Sequence, residues 1–153
     1  MNREKDLIKM KILVDADACP VKKIIVNIAK EKNIHVIMLI DTSHEINDAY
    51  SEVIIVDKAR DSVDFALVNK VDKGDIVVTQ DYGVAAMVLA KGAKAINQNG
   101  LIYSDENMNK LLFERHLSQK VRRSGSRVSG PTKRTKDHDE KFEKAFKYLL
   151  GSF

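Results

Sequence analysis

Tryptophan is absent from this 153-residue chain, and cysteine occurs once. A lone cysteine excludes an internal disulfide framework and any zinc site built on several thiolates, and it fits a reducing compartment. The most strongly apolar stretch, residues 36–40, falls far short of the ~20 residues a helix needs to cross a bilayer. The opening MNREKDLIKMK is charged and lacks the apolar core and cleavage site of a signal peptide, so a cytoplasmic location is expected. Neither G-x-G-x-x-G nor G-x-x-x-x-G-K-[ST] occurs, which removes the dinucleotide fingerprint and the P-loop.

What is present suits one domain over residues 1–153. A chain of this size can bury roughly 68–70% of the surface its unfolded form exposes. The formal charge of +4 is unevenly spread. Residues 115–136 hold eight Lys/Arg and no acid, which leaves 18 basic against 22 acidic residues elsewhere. An acidic body and a basic segment therefore call for separate explanations.

Residues 12–14 read as a buried strand that runs into Asp15-Ala16-Asp17. Val21, Ile24, Ile25, Ile28 and Ala29 then form a helical stripe, with Pro20 suited to the first helical position. Residues 36–40 lack alternation, as expected of a strand covered on both faces. The rhythm repeats: strand 52–56, helix 61–71, strand 75–79, helix 83–91 and a hairpin turn at Asn99-Gly100. Gly92 sits where a helix C-cap belongs. A helix over 107–121 would turn Met108, Leu111, Leu112 and Leu117 inward. Residues 122–136 read as a mobile basic loop, and 139–150 as a C-terminal helix with Phe142, Ala145, Phe146 and Leu149 on its apolar face. Strands alternating with helices imply a three-layer α/β domain with a mostly parallel central sheet.

In parallel sheets, functional groups gather beyond the carboxyl ends of the strands. Asp15 and Asp17 follow the first strand, and Asp81 follows the fourth; Asp61 and Asp64 open the intervening helix. If the first and fourth strands are neighbours, Asp15 and Asp81 converge on one pocket and Asp64 approaches from the side. Clustered carboxylates repel one another, and a divalent cation such as Mg²⁺ or Mn²⁺ removes that penalty. The same ion can activate water against a phosphate ester. Other readings stand beside this one. Asp61-Ser62-Val63-Asp64 has the form of a capping box with Asp61 as N-cap, and Asp17 has the place of a cap for the helix near Pro20. Asp15 and Asp81 end apolar strands, where capping is less natural.

Val14-Asp15-Ala16-Asp17-Ala18-Cys19-Pro20-Val21, Asp61-x-x-Asp64 and the run Gly74 to Gly83 (GDIVVTQDYG) resemble the YaiI/YqxD family of bacterial proteins. The similarity continues through Lys91-Gly92-Ala93, Asn97, Gly100, Tyr103, Arg115-His116 and Gly130-Pro131, nearly the whole chain. This resemblance implies a PIN-like, Rossmannoid fold related to metal-dependent ribonucleases. It gives Asp15, Asp64 and Asp81 the metal-ligand positions, with Asp17 assisting in catalysis and Asp61 auxiliary.

The expected activity is a metal-dependent phosphodiesterase acting on nucleic acid, RNA foremost. Arg115, Arg122, Arg123, Arg127, Lys133 and Arg134 would hold the phosphate backbone through counterion release. The basic segment has no interleaved aromatics, so that grip would be weakly sequence-selective. Thr79 and His116 are supporting candidates. Cys19 reads as a small buried residue rather than a reactive thiol. The alternative is a non-catalytic nucleic-acid-binding protein that keeps an acidic pocket. Asp15-Ala16-Asp17 also has the D-x-D form of haloacid-dehalogenase-type phosphatases. Cys19 and the placement of Gly74-Asp75 before a strand depart from that pattern.

Overall fold

Strand β1 (Ile12–Asp15) lies at the centre of a five-stranded sheet with β2 (Val36–Asp41), β3 (Glu52–Val56), β4 (Ile76–Val78) and β5 (Lys94–Ile96). The order is β3-β2-β1-β4-β5, and every ladder is parallel. The computed structural model describes residues 10–41, 46, 48–57, 62–125 and 133–151. Five helices accompany the strands there: α1 (Lys22–Lys32), α2 (Val63–Lys70), α3 (Tyr82–Ala90), α4 (Asp105–Arg123) and α5 (Lys136–Leu149).

The unbroken apolar strands follow from burial on both faces. Ile12, Val14, Val36, Met38, Ile40, Ile76 and Val78 point into one core, shared with α1 and α5. Leu13, Ile37, Leu39 and Val77 point into the other, shared with α2, α3 and α4. Successive residues of a strand thus feed opposite layers. Phe142 and Phe146, stacked 5.2 Å apart, fix α5 to the first core. None of the helices described is long and apolar enough to cross a membrane.

Several local expectations need correction. Pro20 lies in a turn, and the helix begins at Lys22 with Val21 as its N-cap. The cap of α2 is Ser62, whose hydroxyl accepts from Phe65 N at 3.1 Å; Asp61 lies outside the described residues. Leu112 and Leu117 are exposed, because only the first turns of α4 lie on the core, through Met108 and half-buried Leu111. Arg122 and Arg123 belong to α4, whose basic last turn complements the negative end of the helix dipole. Lys136 opens α5, and of the expected loop only 124–125 and 133–135 are described as non-helical.

Two features brace the frame away from the acids. Asp75 is fully buried and accepts from Lys11 N at 3.1 Å, Lys11 Nζ at 2.7 Å and Asp72 N at 2.8 Å. It ties the start of β1 to the start of β4. Gly100 has φ +89°, and a Cβ there would stand 2.6 Å from the Lys141 carbonyl oxygen. The turn after β5 therefore sits hard against α5, and only glycine fits.

Candidate active site

Strand order reverses between β1 and β4: the chain winds one way through β2 and β3, then returns to place β4 on the other side of β1. Such a switch point leaves a crevice at the carboxyl ends of the two strands. Asp15 is the last residue of β1, and Thr79 and Asp81 follow β4. The expected neighbourhood of first and fourth strands is therefore present.

Each acid is held by its own partner. The Thr79 hydroxyl donates to Asp15 Oδ2 at 3.1 Å and accepts from Asp81 N at 3.0 Å. Asp81 Oδ1 accepts from Val84 N at 3.1 Å, so Asp81 caps α3, contrary to the expectation that a strand-ending acid would not cap. Asp17 accepts from Asp41 N at 3.3 Å, at the end of β2, and is not the N-cap of α1. Tyr103, whose phenol burial pushes well above its ordinary pKa, donates its proton to the Thr79 carbonyl at 3.2 Å. Ala18, between these groups, adopts φ +57°, a backbone state that is costly for alanine.

The electrostatics record the convergence. Burial pushes the Asp15 carboxyl up to about 6; the Thr79 hydrogen bond opposes this, and the charges of Asp64, Asp17 and Asp81 add to it. Asp64 is also raised, by burial first, then by the charge of Asp81 and a hydrogen bond shared with it. The other three acids thus all bear on Asp15. Burial raises the Cys19 thiol, which fits a packing residue and not a nucleophile.

A cleft of about 750 Å³ opens over three of these acids; Asp64, expected as a metal ligand, does not line it. Asp15, Asp17 and Asp81 line it together with Arg115, Ser118 and Arg122, which share one face of α4. The Arg115 guanidinium lies 6.0 Å from the centre of the Tyr82 ring, and Tyr82 meets Tyr103 edge-on at 6.1 Å. Acid and base therefore face each other across one space. Tyr82, which flanks Asp81 in sequence and could support it, also lines the cleft, as do Glu114, Gln119 and Gln80, which were not singled out from sequence. For Glu114 and Gln119, the helical spacing to Arg115 and Arg122 was the available signal.

The remaining basic candidates divide. Arg123 and Lys133 are exposed and do not line the cleft, nor does exposed His116. Arg134 is committed elsewhere: it donates to Asp139 Oδ1 at 2.8 Å, Asn99 Oδ1 at 2.7 Å and the Gln98 carbonyl at 2.8 Å. Its charge is offset by Asp139, so it is no free grip for phosphate. Arg127 lies outside the described residues.

Among the described residues, no three His, Cys, Asp or Glu side chains are set to hold a metal ion together. Asp15 Oδ2 is already engaged by the Thr79 hydroxyl, and Asp81 Oδ1 by the Val84 amide of α3. The donors are nonetheless all oxygens in an open cleft. Mg²⁺ is commonly held by one or two carboxylates, several waters and a substrate phosphate, and the residues fit that mode.

An acidic crevice at the switch point of a parallel sheet, faced by arginines, is the candidate site of this α/β protein. The chain belongs to the YaiI/YqxD family: the model described as "Uncharacterized BCR, YaiI/YqxD family" matches residues 13–152. It is 70% identical over 136 residues to a UPF0178 protein of Ruminiclostridium cellulolyticum, covering 89% of each chain. It is 57% identical to a UPF0178 protein of Clostridium kluyveri, over 93% of this chain and 94% of that one. A crystal structure of a Rae1 (YacP) mutant from Bacillus subtilis is similar with a TM-score of 0.44 and 14% identity, covering 95% of this chain and all of that one.

Proposed function

We propose that this protein is a metal-dependent phosphodiesterase acting on nucleic acid, RNA foremost. The observation that carries the reading is the meeting of Asp15, Asp17 and Asp81 with Arg115 and Arg122 across one cleft. Asp15 and Asp81, with Asp64 beside them, would hold Mg²⁺ or Mn²⁺. When bound, such an ion polarises a phosphoryl oxygen and lowers the pKa of an attacking water.

The protein's own groups supply positioning and charge. Thr79 holds Asp15 Oδ2 in place through its hydroxyl, and the Asp81 amide holds Thr79 in turn. Arg115 and Arg122 neutralise and orient the phosphodiester, Arg115 lying over the Tyr82 ring. Burial holds the Asp15 pKa up at about 6, so Asp15 carries its full charge only above that value.

The test is cleavage of end-labelled single-stranded RNA with Mn²⁺. Wild type should cut. Asp15→Asn and Asp81→Asn should bind RNA without cutting, and Arg115→Ala with Arg122→Ala should bind weakly. A second reading, a binding protein without turnover, is favoured by the lack of a preset three-ligand cluster among the described residues. That reading gains if wild type binds RNA but no divalent ion supports cutting.

A further inference from the structure

A second groove adjoins the acid cleft, and Ala18 and Gln80 line both. It encloses about 520 Å³ and is otherwise bounded by Pro20, Gln98, Asn99, Arg134 and His138. Its chemistry differs from that of the cleft. No carboxylate lines it, and its one guanidinium is paired with Asp139. What remains is a set of neutral hydrogen-bonding side chains beside a proline ring.

These groups are held in place, and several present donors. Arg134 donates to Asn99 Oδ1, which leaves the two amide hydrogens of Asn99 for other acceptors. His138 Nδ1 accepts from Thr135 N at 3.0 Å, so a neutral imidazole carries its proton on Nε2. The turn that bears Gln98 and Asn99 is pinned from within, because Asn97 Oδ1 accepts from Asn99 N and Leu101 N at 2.9 Å each. The same turn is jammed against α5 at Gly100. Gln98 Oε1 is buried and has no hydrogen-bond partner among the described residues.

We propose that this groove is a subsite for a nucleobase flanking the phosphodiester held in the acid cleft, with preference for keto bases, uracil and guanine. The inference rests on the functional reading above and adds specificity to it. Unpaired bases are read through hydrogen bonds to their edges. The Asn99 amide hydrogens and the His138 Nε2 proton match O4 of uracil and O6 of guanine, at the positions where cytosine and adenine carry amino groups. Pro20 offers an apolar surface to the base. Gln80, common to both spaces, stands where base and phosphate of one strand would join.

The experiment measures binding of four labelled single-stranded octanucleotides, of U, G, A or C, to the full chain by fluorescence anisotropy in Ca²⁺. Asn99→Asp and Gln80→Ala are compared with wild type, and thermal melts check folding. Asn99→Asp is the informative change: it keeps the acceptor for Arg134 but replaces the amide donors with acceptors. Wild type should favour U and G, and Asn99→Asp should lower that preference by roughly tenfold without losing the fold. Gln80→Ala should weaken all four. Equal affinity of wild type for the four oligomers, or a preference unchanged in Asn99→Asp, would overturn the subsite and leave the phosphodiesterase reading standing. Failure of every oligomer to bind wild type would overturn both.

Discussion

The Thr79 hydroxyl donates to Asp15 across the seam between β4 and β1, at 3.1 Å. That one bond works against burial and three neighbouring carboxylates, all of which favour the protonated acid. Removing it should let those forces act unopposed. In Thr79→Val, the Asp15 carboxyl should titrate clearly above the wild-type value of about 6, as read from carboxyl carbon shifts in NMR. The Asp81 amide loses its acceptor as well, so stability should fall by about 1–2 kcal/mol. An unmoved Asp15 titration would mean the bond has no electrostatic role.

Asp15 itself should oppose folding at neutral pH. Its folded pKa lies above the unfolded value, so the native state binds the proton more tightly. Stability from this group is therefore present below about pH 4 and lost as pH rises toward 6. Asp15→Asn removes the charge and keeps the shape. The variant should be more stable than wild type at pH 8 by up to about 2 kcal/mol, with the gain gone at pH 4. Thermal melts at the two pH values decide it; a loss of stability at pH 8 would contradict the electrostatic picture.

Arginines in the cleft and in the brace should behave differently. Arg115→Ala and Arg122→Ala should each reduce the slope of log K against log salt for single-stranded RNA by about 0.7, one phosphate contact apiece. Arg134→Ala should leave that slope unchanged and lower the melting temperature, because its bonds to Asp139, Asn99 and Gln98 are structural. Anisotropy titrations at several salt concentrations separate the two classes.

Asp75 makes a contrast with the acids of the cleft. Asp75→Ala leaves the backbone amides of Lys11 and Asp72 without their acceptor in a buried seam, and leaves the Lys11 ammonium to exposed Asp72 alone. A loss of about 3 kcal/mol is expected in urea denaturation. Asp15 should titrate as before, since Asp75 sits at the opposite end of the strands.

Much of this architecture could be read from residue patterns. Apolar strands ending in acid, separated by amphipathic helices, defined the parallel sheet, and Asp15 and Asp81 marked its carboxyl edge. The rest depended on tertiary placement. Asp81 reads as a strand terminus, yet α3 starts one residue later and takes it as a cap. Leu112 and Leu117 fit a helical stripe, but α4 runs beyond the layer that would cover them. Arg134 looks like any member of a basic run until Asp139 and the Gln98-Asn99 turn claim it. Charge density in sequence could not separate it from Arg115 and Arg122, which reach the cleft by helical phase alone.

The most direct test of the central claim is an anomalous difference map from a crystal soaked in Mn²⁺ above pH 7, where Asp15 is charged. The account predicts one strong peak in the cleft within coordination distance of Asp15 or Asp81, absent from the Asp81→Asn crystal. A map without a peak there, or with manganese only on scattered surface acids, would contradict it.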